Sequence, residues 1–230
     1  MSNSIKTILF DLDGTLFDTA PDLGNALNIL LTKYNRPTMS LAEIRTVASD
    51  GAQGLLQLGF SITNQHPDYP HLREQFLEIY AENIARDTQY FPGMSLVIDE
   101  LNERQMPWGI VTNKNTYLTH LLLDKLQLSP QPNCVIGGDT LKYMKPHPAP
   151  LIHACQLLNS SPYECLYVGD AQRDIEAGRR AGMQTMVALY GYINKDSDPR
   201  NWGADGYINQ PPELITWIDN GVNLHKELSI

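Results

Sequence analysis

Two rhythms of apolar residues run through this chain. The first is a set of short runs: Trp108 to Val111, Cys134-Val135-Ile136, Leu166-Tyr167-Val168, Thr185 to Leu189 and a last short Gly206-Tyr207-Ile208. Ile8-Leu9-Phe10 leads the set, closing a segment from Ile5 that only Lys6 and Thr7 break. Runs of this length without alternation fit strands covered on both faces. Between them the spacing turns helical, predicting helices over Met94 to Gln105, Thr116 to Leu126, Pro148 to Leu158 and Ile175 to Ala181. Leu151, Ile152, Cys155 and Leu158 share one side of the third, and Gly182 stops the fourth. Strand alternating with helix predicts an α/β domain with a parallel sheet and right-handed crossovers.

Residues 18–88 break the alternation and predict helices alone. Asp18 or Thr19 caps the first, with Pro21 in its first turn and Leu23, Leu27, Leu30, Leu31 and Tyr34 on one face. Ser40-Leu41-Ala42-Glu43 has the form of a capping box opening a short second helix. Ser49-Asp50-Gly51 interrupts, a third helix runs through Leu55, Leu56 and Leu58, and Ser61 to Pro70 is a polar loop. His71 to Arg86 predicts a fourth helix with Leu72, Phe76, Ile79, Tyr80 and Ile84 inward. The expected organisation is a core of residues 1–17 and 89–230 with an inserted helical domain, 18–88, packed as a cap over the strand ends.

Composition changes this picture little. With 230 residues, 42% hydrophobic and 19% charged, the chain has the make-up of a globular protein able to bury a sizeable core. A formal charge of −9 leaves no basic patch to release counterions, which argues against a nucleic-acid or membrane partner. No apolar stretch approaches the ~20 residues of a membrane span. Met1 to Ile5 lacks the basic start of a signal peptide, so the expected compartment is the cytoplasm. Cys134, Cys155 and Cys165 are odd in number, lack metal-type spacing and read as small buried hydrophobes. Oligomeric state has no signature in the sequence.

The chemistry collects where the apolar runs stop. The first ends in Asp11-Leu12-Asp13-Gly14-Thr15, two carboxylates beside a glycine that permits a sharp turn. Alone, this segment is open to three readings: a metal site, an acid/base pair or a solvated acidic turn. The other runs end in Thr112-Asn113-Lys114, in a loop reaching Lys145-Pro146, and in Gly169-Asp170, with Asp174 four residues on at a helix start. Singly these are an ordinary turn, a loop, a common strand-to-helix corner and a helix surface. Sheet geometry, however, brings strand ends to one edge, where α/β chemistry gathers. Asp11, Asp13, Asp170 and Asp174 then face one cation, Lys145. Oxygen donors without His or Cys select a hard ion, Mg2+ first.

Asp11-Leu12-Asp13-Gly14-Thr15, Thr112-Asn113, Lys145-Pro146 and Gly169-Asp170 with Asp174 together resemble the four signature motifs of the haloacid dehalogenase-like phosphohydrolases. The resemblance covers nearly the whole chain and implies a doubly wound, Rossmann-like core. It implies Asp11 as nucleophile, Mg2+ held by Asp11, Asp170 and the Asp13 main-chain carbonyl, and Asp174 beside the metal or holding one of its waters. Asp13 would be the general acid and base, Thr112 and Asn113 would meet the substrate phosphate, and Lys145 would offset its charge. The second acid, Asp13, favours phosphoryl over dehalogenase chemistry and leaves a phosphomutase open.

The helical insert is similar to the cap of the phosphoglycolate phosphatase branch. Gly191-Tyr192-Ile193 and Asn201-Trp202-Gly203-Ala204-Asp205 resemble bacterial N-acetylmuramate 6-phosphate phosphatases of cell-wall recycling. The implied partner is a small phosphate ester, with hydrolysis of N-acetylmuramate 6-phosphate preferred over 2-phosphoglycolate. A receiver-like phospho-acceptor domain or an inactive ligand-binding homologue are the readings from other classes. Ser49, Asp50 and Gly51, with Gln53, form the cap loop expected to face the site, and Arg45 or Arg86 the cations for a substrate carboxylate.

Overall fold

Strand β1 (Thr7–Phe10) is buried along its whole length and sits inside a six-stranded sheet. In the computed structural model, which describes residues 5–194 and 197–220, β1 is flanked by β4 (Trp108–Val111) and β6 (Cys165–Gly169). Beyond β4 lies β5 (Cys134–Ile136), and beyond β6 lie β7 (Gln184–Ala188) and β8 (Gly206–Ile208). Every pairing is parallel, in the order β5-β4-β1-β6-β7-β8. The chain builds outward from β1 to β5, then returns to the other side of β1 to lay down β6. That reversal opens a crevice at the carboxyl ends of β1 and β6, the usual ligand position in a doubly wound sheet.

Both faces of the sheet are covered. Ile8, Phe10, Trp108, Ile110, Leu166 and Val168 pack with α5 (Met94–Glu103), α6 (Thr116–Leu126) and α9 (Glu213–Asn220). Leu9, Val111, Cys165 and Tyr167, which alternate with them, pack with α7 (Ala149–Leu157) and α8 (Gln172–Ala181). The three cysteines are free and buried on this second face. No helix among the described residues is long and apolar enough to cross a membrane.

Between β1 and α5 the chain leaves the sheet. A two-residue antiparallel ribbon, β2 (Phe17–Asp18) with β3 (Gln89–Tyr90), brackets four helices. These are α1 (Ala20–Lys33), α2 (Leu41–Arg45), α3 (Gly51–Phe60) and α4 (Tyr69–Asn83). Leu23, Leu27, Leu30 and Leu31 of α1 are buried against residues such as Leu55, Phe60, Leu72 and Phe76. The Ser40 hydroxyl accepts from the Glu43 N–H at 3.3 Å while Glu43 accepts from the Ser40 N–H at 2.9 Å, closing the capping box that the sequence predicts.

Several expected details differ. Tyr34 is 40% exposed, because α1 ends at Lys33 and the ring lies across Phe60 at the surface. Ile152 is 37% exposed; Leu151, Ala154 and Cys155 form the inner face of α7, since close approach to the sheet favours small side chains there. Helix α4 stops at Asn83, and Ile84 turns extended while keeping its side chain buried.

Asp22, fully buried on α1, ties this helical block to its exit. Its carboxylate accepts from the Asp87 N–H (2.9 Å), the Thr88 N–H (3.1 Å) and the Thr88 hydroxyl (2.6 Å). Asp22→Ala strands three donors and is expected to lower the unfolding free energy by about 2–4 kcal/mol in urea titration. A loss below about 1 kcal/mol would show that the tie contributes nothing beyond an average contact.

Candidate active site

The turn after β1 delivers the first two acids. The Asp11 N–H extends the sheet ladder to the Val168 carbonyl at 2.9 Å, and the Leu12 N–H donates to the Asp11 carboxylate at 2.8 Å. Gly14 then takes φ +82, and its missing side chain leaves room for Asp170 from the end of β6: a Cβ there would lie 2.1 Å from the Asp170 Oδ2. Asp174, in the first turn of α8, accepts from the Ala171 N–H at 3.0 Å, so its position is fixed by capping its own helix.

Oxygens of Asp11, Asp170 and Asp174, all buried, lie within 4.8 Å of one another. Lys145 answers part of this charge: its fully enclosed ammonium stands 2.9 Å from Asp11 and 2.8 Å from Asp174. It also donates to the Tyr167 hydroxyl (2.7 Å), which donates onward to the Val111 carbonyl (2.7 Å). Burial, then the charges of Asp174 and Asp11, hold the Tyr167 phenol well above its ordinary pKa, so it stays a neutral relay. One lysine does not balance three carboxylates. Burial first, and then Asp11 and Asp174, push the Asp170 pKa up to about 7. Burial also raises Asp174, against the opposing pull of Lys145. An all-oxygen set, short of positive charge, with space cleared by Gly14, fits a hard divalent cation.

Asp13 is turned to different partners. Its Oδ1 accepts from the Thr19 hydroxyl at 2.6 Å and from the Lys114 ammonium at 3.0 Å, and Lys114 also donates to the Tyr80 hydroxyl at 2.9 Å. Burial works to lower the Lys114 pKa, but the Asp13 carboxylate and Tyr80 override it and raise it. The Asp13 side chain is therefore outside the carboxylate cluster. Thr19 begins α1, yet its hydroxyl serves Asp13 and not its own helix.

Thr112 is buried at the end of β4, its N–H on the Ile136 carbonyl at 2.9 Å. Asn113 turns its amide to the Lys145 main chain, donating to the carbonyl at 2.9 Å and accepting from the N–H at 3.0 Å. It thereby positions the lysine, a role its expected place at the substrate phosphate does not include.

Above these residues lies a cavity of about 500 Å³ between the strand ends and the helical block. Asp11, Asp13, Thr112 and Asn113 line one side; Ser49, Asp50, Gly51 and Gln53 line the other. The Ser49 hydroxyl donates to Asp170 at 2.6 Å, and Arg173 donates to the Ser49 carbonyl (2.5 Å) and to Asp50 (3.2 Å). Lys114 and Arg173 therefore enlarge the cation count beyond the single lysine set against four carboxylates in the sequence. Lys114 directly follows Thr112-Asn113, a signal that was available. Arg173 directly precedes Asp174, but its partners Ser49 and Asp50 come from the helical block, which the sequence does not place beside it. Neither Arg45 nor Arg86 is among the cavity-lining residues; Arg45 pairs with Asp18 at 2.5 Å.

Residues 8–188 match the haloacid dehalogenase-like hydrolase family. A phosphoglycolate phosphatase of Xanthomonas campestris pv. campestris is 40% identical over 91% of this chain and 94% of its own. An N-acetylmuramic acid 6-phosphate phosphatase of Pseudomonas putida is 37% identical over 95% of this chain and 98% of its own. The crystal structure of a predicted phosphoglycolate phosphatase from Haemophilus somnus superposes with a TM-score of 0.78 at 27% identity, covering 92% of this chain and 97% of that one.

The tight fit around Gly14 yields a controlled comparison. Gly182, with φ +79, has nothing within 4 Å of an added Cβ. Gly182→Ala should lose only the backbone cost of a left-handed residue, about 1–2 kcal/mol. Gly14→Ala adds the collision with Asp170 and should lose a further ~1–3 kcal/mol in denaturant titration. Equal losses would mean that Asp170 does not need the space.

Proposed function

The chain belongs to the haloacid dehalogenase-like hydrolases and is a phosphoric monoester hydrolase, and from that premise we propose that it cleaves N-acetylmuramate 6-phosphate through an aspartyl-phosphate. The observation that carries the mechanism is the sorting of the two acids at the β1 end. Asp11 faces Lys145 at 2.9 Å, while Asp13 is held by Thr19 and Lys114. Two carboxylates in different surroundings take different roles.

Asp11 attacks phosphorus; the P–O bond to the sugar breaks as the carboxylate–phosphorus bond forms. Asp13 in its protonated form gives its proton to the departing alkoxide; the carboxylate so formed, held by Thr19 and Lys114, then takes one back from the water that hydrolyses the acyl phosphate, a contribution typically of ~10²–10⁴-fold. Thr112 donates its hydroxyl to a phosphoryl oxygen. Lys145, oriented by Tyr167 and by the Asn113 amide, offsets negative charge as it builds on the phosphoryl group. Asp11, Asp170, Asp174 and the Asp13 main-chain carbonyl would hold Mg2+, which supplies the positive charge that lets an anionic nucleophile approach a phosphate dianion. Residues 18–88 act as the cap domain: Ser49, Asp50 and Gly51 close over the strand ends, and this wall keeps bulk water from the acyl phosphate.

The substrate assignment is supported by the cavity and by the Pseudomonas putida relative. A space of about 500 Å³ suits an amino-sugar phosphate, whereas a two-carbon ester would leave most of it to water. Contacts to the sugar can then orient the reacting phosphate. The Xanthomonas relative favours the second reading, phosphoglycolate phosphatase.

With both esters at equal concentration in one reaction, N-acetylmuramate 6-phosphate should be consumed faster, and Asp11→Asn should abolish turnover of both. Faster loss of 2-phosphoglycolate would replace the first substrate by the second. More than about a tenth of wild-type activity in Asp11→Asn, equivalent to ~1.4 kcal/mol in the barrier, would remove the covalent step.

A further inference from the structure

Three cationic side chains line the cavity, and two of them have partners in the protein. Lys114 is paired with Asp13, and Arg173 with Asp50 and the Ser49 carbonyl. Arg73, on α4, is exposed and has no hydrogen bond or ion pair among the described residues. Tyr69 and Leu77, one turn to either side of it, line the same cavity.

Position along α4 says what Arg73 can reach. Tyr80 marks the catalytic end, since its hydroxyl meets the Lys114 that holds Asp13. Arg73 lies seven residues earlier, two turns or about 10 Å along the helix axis. That separation places it away from the transferring phosphoryl group and toward the far end of a bound substrate. On α3, Gln53 and Gln57 stand one turn apart and line the same wall with exposed amides. A cation, two amides and the rings of Tyr69 and Phe76 match a ligand with an anionic group, hydrogen-bonding groups and some apolar surface. A single unpaired guanidinium suits a monoanion, which it grips in a two-pronged hydrogen bond. A second phosphate would call for more than one free cation, and the described lining residues offer only this one.

We propose that Arg73 is the specificity-determining residue that binds a carboxylate on the substrate, remote from its phosphoryl group. The proposal rests on the phosphatase reading, and in its full form on the amino-sugar substrate, whose lactyl ether carries such a carboxylate. Arg73 does not touch the reacting atoms, so its loss should appear in recognition and not in chemistry.

The test compares esters with and without the carboxylate-bearing group, and reads the role of the carboxylate from how Arg73 variants change each preference. N-acetylmuramate 6-phosphate and N-acetylglucosamine 6-phosphate form one pair; 2-phosphoglycolate and ethyl phosphate form the other. Wild type should prefer the lactyl-bearing sugar in kcat/KM by roughly 10- to 100-fold, the range of a charged hydrogen bond. Arg73→Gln should erase that preference, chiefly by raising KM, while leaving N-acetylglucosamine 6-phosphate within about twofold of wild type. Arg73→Lys, which keeps the charge but not the fork, should fall between. If Arg73→Gln slows both sugars equally, or leaves the preference standing, the proposal is overturned. If wild type treats the sugars alike but prefers 2-phosphoglycolate to ethyl phosphate, the amino-sugar assignment falls. In that case the carboxylate role stands if Arg73→Gln removes the second preference and falls if it does not. Discrimination in neither pair also overturns it.

Discussion

Gathering three carboxylates out of water at the ends of β1 and β6 is the constraint around which this protein is arranged. Asp11, Asp170 and Asp174 are buried and within 4.8 Å of one another, and like charges that close raise one another's pKa unless positive charge joins them. Lys145 is the protein's own answer. Its ammonium is completely enclosed and is the cation in direct contact with Asp11 and Asp174, so removing it would leave the cluster only the charge of Arg173, a change that in buried pairs typically costs about 3–5 kcal/mol. Much of the surrounding structure holds that lysine: Tyr167 from the neighbouring strand, Asn113 on its main chain, and Val111 behind Tyr167.

The same constraint shapes the helical block. Ser49 reaches across the cavity to Asp170, and Arg173 reaches back to Ser49 and Asp50. Lys114 and Tyr80 form a second crossing at Asp13. Both crossings end on carboxylates of the site, so the position of the helices and the electrostatics of the strand ends are coupled. A substrate entering between them meets a wall of side chains already oriented by these contacts.

The sheet was legible in the sequence because its central strands are buried on both faces and read as short, largely apolar runs. Trp108 to Val111, Cys134 to Ile136 and Gly206 to Ile208 have the same bounds in the structure. Asp11, Thr112 and Asp170 could be placed at one edge for the same reason: a parallel sheet puts residues that follow its strands on one side. The ribbon of Phe17–Asp18 with Gln89–Tyr90 left no pattern, being two residues long on each side. The partner of Asp13 was missed although Lys114 lies just past Thr112, because charge pairing depends on where α4 delivers Tyr80. Asn113 shows another limit, since an amide beside a phosphate motif serves a ligand or a neighbouring main chain equally well by composition. Ile152 shows that helical period alone does not say which side of an apolar helix faces inward when small residues such as Ala154 pack more closely.

Thermal unfolding with and without Mg2+ measures whether an added cation holds this carboxylate cluster together. Wild type should melt at a higher temperature in Mg2+ than in chelator, by the linkage of a ligand that binds only the folded state, about 2.7 kcal/mol at a hundredfold excess over Kd. Asp170→Asn removes one of the competing charges. It should be at least as stable as wild type in chelator and should gain little or nothing from Mg2+. Identical wild-type midpoints in chelator and in saturating Mg2+ would mean that the cluster binds no such cation.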